Sequence, residues 1–166
     1  DLPFNYDDGA FPLNYEREYN YSKVIFDGVV ESVNTTAVNV LDLIGTQYSY
    51  NFATEKFRLT DLVDRREYTS GFVASDINYA PLALGALTDG CTVRDMSTAY
   101  ATFANDGVIR EARTFTKVYD SEGNLIIDNT QDSEQILSEK TVNYMNYCLY
   151  NAANHGTGGA AIFRGQ

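Results

Sequence analysis

The chain has 166 residues, roughly one domain at a typical size of about 150 residues. Its 12 Lys and Arg against 23 Asp and Glu give a formal net charge of −11, which argues against nucleic acid or an anionic lipid surface as the partner. The 13 Tyr, the 9 Phe and a hydrophobic content of 44% oppose a disordered chain and are typical of a globular domain with a core.

Membrane-spanning and metal-binding features are not apparent in the sequence. The longest apolar-leaning run, Tyr79 to Leu87, is far shorter than the roughly 20 residues that a bilayer span needs. The single His155 makes a histidine-rich metal site impossible and disfavours a Ser-His-Asp triad. The chain starts at Asp1 without an initiator Met, which suggests a piece cut from a longer protein, although tag removal or processing would leave the same start.

The first third of the chain predicts an arm followed by two helices. Residues 1–21 predict an irregular arm, because prolines and a glycine interrupt any period. A helix capped by Ser22 is predicted next, with its apolar stripe at Phe26, Val29, Val30 and Val33. A second helix repeats the spacing at Ala37, Val40, Leu41 and Ile44 and ends at Gly45. Residues 32–36 are therefore predicted to form a joint, a place that suits a binding or catalytic site.

The middle of the chain predicts two further helical segments. Residues 46–78 show no strong period, and residues 79–87 could form a buried helix or a buried strand. Pro81 favours a helix that begins near it. Thr92 followed by Asp95 is a capping signal for a helix with a stripe from Met96 to Phe103.

The last third predicts a β-hairpin and a final helix. Residues 113–120 and 125–128 are rich in β-branched and aromatic side chains, and the turn between them contains Gly123. Residues 131–135 read as a polar loop, and Ser138 caps a helix that ends near His155. These elements together predict an α+β, mostly helical chain with a β-hairpin.

Three other patterns could carry chemistry, and each has a simpler interpretation. Residues 156–159 could cradle a phosphate, but they lack the spacing of known phosphate loops and are typical of a helix end followed by a turn. Acid pairs such as Asp61 and Asp64 could serve carboxylate catalysis or bind calcium, although a solvated face explains them in so acidic a chain. The many tyrosines could form a stacking platform, or the edge of a core.

Ser32-Val33-Asn34 is the pattern with the most specific interpretation. By itself it is consistent with ordinary helix capping by Ser and Asn. At the joint of two helices, however, it resembles the Ser-x-Asn motif of penicillin-binding proteins, the serine transpeptidases that crosslink peptidoglycan. That family shares a Ser-x-x-Lys motif, a Ser-x-Asn type element and a Lys-Thr-Gly motif.

Further segments resemble the same family in the same order along the chain. Pro12-Leu13-Asn14-Tyr15 is similar to its Pro-x-Asn-Tyr segment, and residues 29–37 are similar to the block around its Ser-x-Asn motif. Residues 100–107 resemble its Tyr-Ala-x-Phe-Ala-Asn-x-Gly helix, and the hairpin and final helix, ending in Gly156-Thr157-Gly158, follow as in the family. The resemblance covers most of the chain, from about residue 1 to residue 166.

The other two active-site motifs of the family do not occur in this sequence. Its lysines stand at 23, 56, 117 and 140, none has a serine three residues before it, and none is followed by Ser/Thr-Gly. We therefore expect residues 1–166 to be a partial transpeptidase domain that lacks the Ser-x-x-Lys and Lys-Thr-Gly segments. The chain alone should be inactive, because no serine in it has a visible activator.

The resemblance implies a serine-type D,D-transpeptidase as the parent protein, with Ser32 and Asn34 as catalytic residues of this chain. Ser32 would relay a proton and Asn34 would orient the substrate, with no cofactor and no metal. The partners implied for the complete domain are a stem peptide ending in D-Ala-D-Ala and β-lactams. The implied location is extracytoplasmic, with membrane anchoring only through a segment missing from this chain.

Two questions stay open at the level of sequence. The chain could instead be a non-catalytic extracytoplasmic binding module on a transpeptidase-like scaffold, and the parent sequence on either side would discriminate between the two. An extracytoplasmic location permits a disulfide between Cys91 and Cys148. Because one precedes a helix start and the other lies mid-helix, we predict two free thiols.

Overall fold

The computed structural model describes residues 4–6, 9–19 and 23–162, which form six α-helices joined by turns and short strands. The helices are α1 (Ile25–Val30), α2 (Asn34–Ile44), α3 (Thr46–Asn51), α4 (Tyr79–Leu84), α5 (Val93–Ala104) and α6 (Glu139–His155). A π-helical turn over Phe52–Lys56 continues α3, and a 3-10 turn over Gly159–Ala161 follows α6.

Within the described residues, eight short strands pair into antiparallel ladders of two strands each. The pairs are β1 (Phe4–Tyr6) with β2 (Gly9–Phe11), β3 (Arg66–Glu67) with β4 (Val73–Ala74), β5 (Val108–Arg110) with β8 (Ser133–Gln135), and β6 (Lys117–Tyr119) with β7 (Leu125–Asp128). In the last pair Val118 lies opposite Ile127, which is the predicted hairpin. The predicted α+β class, mostly helical with a β-hairpin, is confirmed.

The helix ends that carried capping signals lie close to their predicted positions. Thr92 Oγ1 accepts a hydrogen bond from the Asp95 backbone N–H at 3.1 Å, at the start of α5. Ser138 Oγ accepts from the Thr141 N–H at 3.2 Å and begins α6 in the same way. Residues 79–84 form a helix, with Pro81 in its first turn, where the missing N–H costs no intrahelical bond.

Two expectations were wrong, and both concern strands of only three residues. The arm over residues 1–21, expected to be irregular, contains the β1–β2 ladder. Residues 46–56, for which the sequence predicted no element, are helical. Residues 131–135, expected as a loop, include β8, which pairs with β5. Three-residue strands are held by backbone hydrogen bonds, and they are too short to show an alternating pattern.

The joint between the first two helices is shorter than expected. Helix α1 ends at Val30 and α2 begins at Asn34, so residues 34–36 are helical and Val33 is the N-cap of α2. The proposed cap Ser22 lies outside the described residues. The observed N-cap of α1, Val24, makes no side-chain hydrogen bond.

The core places the ends of α1, α2 and α6 beside one another. Val38 and Val142 are almost completely buried, and Phe26 of α1 stacks on Tyr147 of α6 with ring centroids 5.3 Å apart. Helices α1 and α2 are in close contact at Gly28, where a β-carbon would lie 2.4 Å from Thr36 Cγ2. Because Gly28 has no side chain, the Thr36 side chain packs directly on the α1 backbone, which keeps α1 and α2 close together at their joint.

The remaining expectations from the sequence concern the cysteines, metal binding and membrane-spanning helices. Cys91 and Cys148 are both free thiols, and each is half-buried. Within the described ranges, no group of three or more His, Cys, Asp and Glu side chains is arranged to hold a metal ion. The same part of the chain has no helix with the length and hydrophobicity needed to cross a bilayer.

Candidate active site

Ser32 lies in the tight reversal between α1 and α2, with its side chain exposed to solvent. Its φ of 57° falls in the left-handed region, which costs a residue with a β-carbon about 1–2 kcal/mol. The strained turn is closed by two backbone bonds, from Ser32 N–H to the Val29 carbonyl oxygen at 3.3 Å and from Val33 N–H to that of Gly28 at 2.8 Å. The reversal therefore presents the Ser32 hydroxyl at the tip of a rigid corner.

Asn34, the first residue of α2, is half-buried and held by the arm that precedes the helices. Its Nδ2 donates a hydrogen bond to the carbonyl oxygen of Leu13 at 2.8 Å. No donor among the described residues binds Asn34 Oδ1. One amide hydrogen is thus used to fix the side chain, while the carbonyl oxygen stays available as an acceptor.

Ser32 and Asn34 line the same open groove, whose volume is about 720 Å³. Its walls come from three segments that are distant in sequence, namely residues 14–18 of the arm, the α1–α2 joint and Gly156-Thr157 at the end of α6. The structure thus brings both predicted site residues together at one groove, as the position of the joint predicted.

The charged groups of the groove are mainly acidic. Glu16 and Glu18 come from the arm, and Glu31 forms an ion pair with the Nζ of Lys23. No base among the described residues lies within hydrogen-bond distance of Ser32 Oγ. Since Lys23 is engaged with Glu31, this chain offers Ser32 no visible activator in the described part of the groove.

The end of α6 forms a wall of the groove that the sequence analysis did not assign to the site. Thr157 N–H donates to the Val30 carbonyl oxygen at 3.3 Å, next to the joint that carries Ser32. A β-carbon at Gly156 would lie 2.0 Å from the same oxygen, so glycine is required there. The sequence did contain a signal for this wall, because Gly156-Thr157-Gly158 is the last of the segments that resemble the family. Its glycines were interpreted only as the end of a helix.

Asn14 is a second residue of the site that sequence reasoning left without a role. It is 8% exposed, and its Oδ1 accepts hydrogen bonds from the backbone N–H and the hydroxyl of Thr35. Its position in the Pro-x-Asn-Tyr segment was recognised, but its contact with α2 depends on how the arm folds back.

Residues 6–165 match the family described as "Penicillin binding protein transpeptidase domain". The chain belongs to this family.

Relatives of the penicillin-binding protein family match nearly the whole chain at moderate identity. The chain is 31% identical to "Penicillin-binding protein 4" of Bacillus subtilis (strain 168) over 153 residues, which are 92% of this chain and 22% of that protein. It is 31% identical to "Penicillin-binding protein 1A" of Clostridium novyi (strain NT) over 147 residues, which are 88% of this chain and 16% of that protein. The chain therefore spans about a fifth of the length of these relatives.

Solved structures of penicillin-binding transpeptidases share the fold. The D,D-transpeptidase domain of a peptidoglycan glycosyltransferase from Eggerthella lenta superposes with a TM-score of 0.67 at 18% identity, covering 92% of this chain and 42% of that one. Penicillin-binding protein A of M. tuberculosis, solved as an imipenem acyl-enzyme complex, gives a TM-score of 0.61 at 16% identity, covering 85% and 34%. At these identities the likeness supports the fold alone.

Proposed function

We propose that this chain is the central part of the catalytic domain of a peptidoglycan D,D-transpeptidase, and that Ser32 and Asn34 are two of its catalytic residues. The observation that carries the proposal is the placement of a Ser-x-Asn pair at one groove, in a chain that matches the transpeptidase family over residues 6–165. Ser32 lies on the strained joint and Asn34 begins the next helix. The whole parent protein would crosslink stem peptides through an acyl-serine intermediate.

The proposed reaction needs a nucleophilic serine that this chain does not contain. In the parent protein, the serine of a Ser-x-x-Lys segment attacks the carbonyl carbon between the two D-Ala residues, and its proton passes to a neighbouring base. The peptide C–N bond breaks, and the terminal D-Ala leaves after its nitrogen accepts a proton. The amine of a second stem peptide then attacks the acyl-serine, which restores the serine hydroxyl and forms the crosslink.

Ser32 is proposed to hand a proton to the leaving nitrogen. Its exposed hydroxyl can donate one proton while it accepts another, so it acts as a relay without becoming an alkoxide. The left-handed turn supports this role, because it holds the hydroxyl at the tip of the corner without a long, flexible side chain. For Ser32 to relay a proton, another part of the parent protein must supply the base.

Asn34 is proposed to orient the substrate backbone. Because its Nδ2 donates to the Leu13 carbonyl oxygen, the orientation of the amide is set, with Oδ1 left to accept a hydrogen bond from a peptide N–H. An acceptor fixed before the substrate arrives loses little freedom on binding, which favours a defined pose of the scissile bond.

The proposed partners and location follow from the same assignment. The stem peptide with its D-Ala-D-Ala end would be the substrate, and β-lactams would acylate the complete domain by mimicking it. The parent protein would act at the bacterial cell surface or in the periplasm, anchored to the membrane by a segment outside this chain.

The test is penicillin labelling of the full-length parent protein. We expect a fluorescent penicillin to form one covalent adduct per molecule, measured by intact mass. We expect Ser32→Ala to slow acylation about 100-fold, in line with the usual contribution of one proton-transfer group. An unchanged acylation rate in Ser32→Ala would remove Ser32 from the mechanism.

A non-catalytic binding module is the outcome that competes with this proposal. The parent sequence decides it first, because an enzyme requires Ser-x-x-Lys before this chain and Lys-Thr/Ser-Gly after it. A parent protein that lacks both motifs and takes no penicillin label would support the module instead.

A further inference from the structure

The first turn of α2 receives its cap from a distant residue. The N-cap position is Val33, which makes no side-chain hydrogen bond. The first N–H groups of any α-helix have no partner within the helix, so they need acceptors from elsewhere. Here Asn14 Oδ1, from 21 residues earlier, accepts from the Thr35 N–H at 3.1 Å and from Thr35 Oγ1 at 3.2 Å.

The orientation of the Asn14 amide is set on both sides. On one side its Oδ1 accepts from Thr35, and on the other its Nδ2 donates to the Glu18 carbonyl oxygen at 2.9 Å. A rotated amide would turn Nδ2 toward the Thr35 N–H, donor against donor, and its Oδ1 toward a carbonyl oxygen. Since the side chain is buried, such a mismatch would not be relieved by water.

The side-chain amide of Asn34 forms a second link between the arm and α2. Asn34 of α2 donates to the carbonyl oxygen of Leu13, the residue that precedes Asn14. The arm and the helix thus bind each other through two asparagines, one from each segment. The Leu13 oxygen that orients Asn34 is held in place by the neighbouring bonds of Asn14.

We propose that Asn14 is a positioning residue of the transpeptidase, which clamps the arm to the first turn of α2 and thereby sets the pose of Asn34 and the joint at Ser32. The inference rests on the proposed function for its kinetic consequence. Asn14 acts through Thr35, to which its amide oxygen is bonded, and through Leu13, its neighbour in the chain, whose carbonyl oxygen binds Asn34.

The experiment uses the full-length parent protein and a fluorescent penicillin as the probe. Asn14→Leu keeps the approximate size of the side chain but removes the acceptor and the donor. We expect it to lower the second-order acylation rate at least tenfold, since small displacements of positioning groups can cost up to about a hundredfold. Asn14→Asp retains the acceptor for Thr35 but sets a second carboxylate oxygen against the Glu18 carbonyl oxygen, so its rate should lie between those of Asn14→Leu and wild type.

A stability-matched control separates positioning from general destabilisation. Val142→Ala truncates a buried side chain of α6 that does not line the groove. Both variants should lower Tm, but Val142→Ala should leave the acylation rate of the folded protein within about twofold of wild type. Equal rate losses in Asn14→Leu and Val142→Ala would overturn the positioning role.

Amide hydrogen exchange supplies a readout that does not depend on the reaction. In Asn14→Leu the Thr35 N–H should exchange at least tenfold faster, while the Val142 N–H, which donates to the Ser138 carbonyl oxygen at 3.0 Å, keeps its protection. Unchanged exchange at Thr35 would overturn the clamp itself.

A wild-type protein that is not acylated would instead overturn the proposed function, and the positioning role with it. Normal acylation of both wild type and Asn14→Leu would overturn the inference alone.

Discussion

Gly156 packs directly against the carbonyl oxygen of Val30, and a β-carbon at position 156 would lie 2.0 Å from that oxygen. The contact joins the end of α6 to the last residue of α1, immediately before the turn that carries Ser32. Because Val30 also accepts a hydrogen bond from the Thr157 N–H, both sides of the contact are backbone and cannot move independently. The glycine therefore sets the distance between two walls of the groove.

Substitution of Gly156 by alanine should destabilise the chain and widen the groove. The added β-carbon requires a shift of backbone against backbone, and we expect a loss of about 1–3 kcal/mol in the free energy of unfolding, measured by urea denaturation. Gly159→Ala is the matched control, because its β-carbon would meet no atom closer than 3.8 Å. Equal stabilities of the two variants would contradict the close contact.

The left-handed backbone of Ser32 allows the role of its hydroxyl to be separated from the effect of backbone strain. Ser32→Ala and Ser32→Gly both remove the hydroxyl, but only glycine adopts a φ of 57° without a β-carbon penalty. We expect the glycine variant to be about 1 kcal/mol more stable than the alanine variant, while both acylate the full-length protein equally slowly. Recovery of the acylation rate in Ser32→Gly would show that backbone conformation, rather than the hydroxyl, limits the reaction.

The chain by itself should form no covalent adduct with penicillin. Ser32 has no base within hydrogen-bond distance among the described residues, so its hydroxyl stays protonated and unreactive. Incubation of the purified chain with a fluorescent penicillin should leave its intact mass unchanged, with the full-length protein as the positive control. A stoichiometric mass increase that Ser32→Ala abolishes would identify Ser32 as a nucleophile and contradict its role as a relay.

Asp120 should titrate below its ordinary range in the β6–β7 turn. Hydrogen bonds from the Asn124 side chain and from the Asn124 backbone N–H, at 2.9 and 2.8 Å, lower the pKa of its carboxyl. Because the pKa is lower in the folded than in the unfolded state, the ionised carboxylate stabilises the turn at pH values above the unfolded-state pKa. This stabilisation is lost as the pH falls through the folded-state pKa. The Asp120 carboxyl carbon, followed by NMR, should therefore titrate with a midpoint below 3.8. A midpoint at or above that value would contradict the hydrogen bonds.

Asp76 should be essential for the stability of the segments on either side of α4, because it joins Val63 to Thr88. Its buried carboxylate accepts from the Val63 N–H at 2.7 Å, and from the N–H and the hydroxyl of Thr88 at 2.8 and 2.7 Å. Asp76→Ala leaves these donors without an acceptor, which should cost roughly 2–4 kcal/mol of unfolding free energy. Asp64→Ala, which truncates an exposed carboxylate nearby, should change the stability by less than about 0.5 kcal/mol. A comparable loss in the two variants would exclude this role for Asp76.

Local sequence determined the elements whose signals are contained within a few residues. Thr92 and Ser138 begin α5 and α6 because each side chain accepts from an N–H three residues ahead, a contact that needs no other part of the fold. The β6–β7 hairpin likewise needs only two short strands and a turn with Gly123 in a left-handed conformation. The Ser-x-Asn pattern and the order of its neighbours pointed to Ser32 and Asn34 without any coordinates.

Tertiary structure decided everything that depends on residues distant in sequence. Helix α2 carries no capping side chain of its own, and only the folded arm brings Asn14 to Thr35. The wall at Gly156 exists because α6 ends against α1, and β8 forms because β5 supplies its hydrogen-bond partners. The positive φ of Ser32 arises in the same way, since a turn closed between two packed helices forces it on a residue with no preference for it. These contacts are set by packing and by hydrogen bonds between segments distant in sequence, which leave no periodic pattern in the sequence.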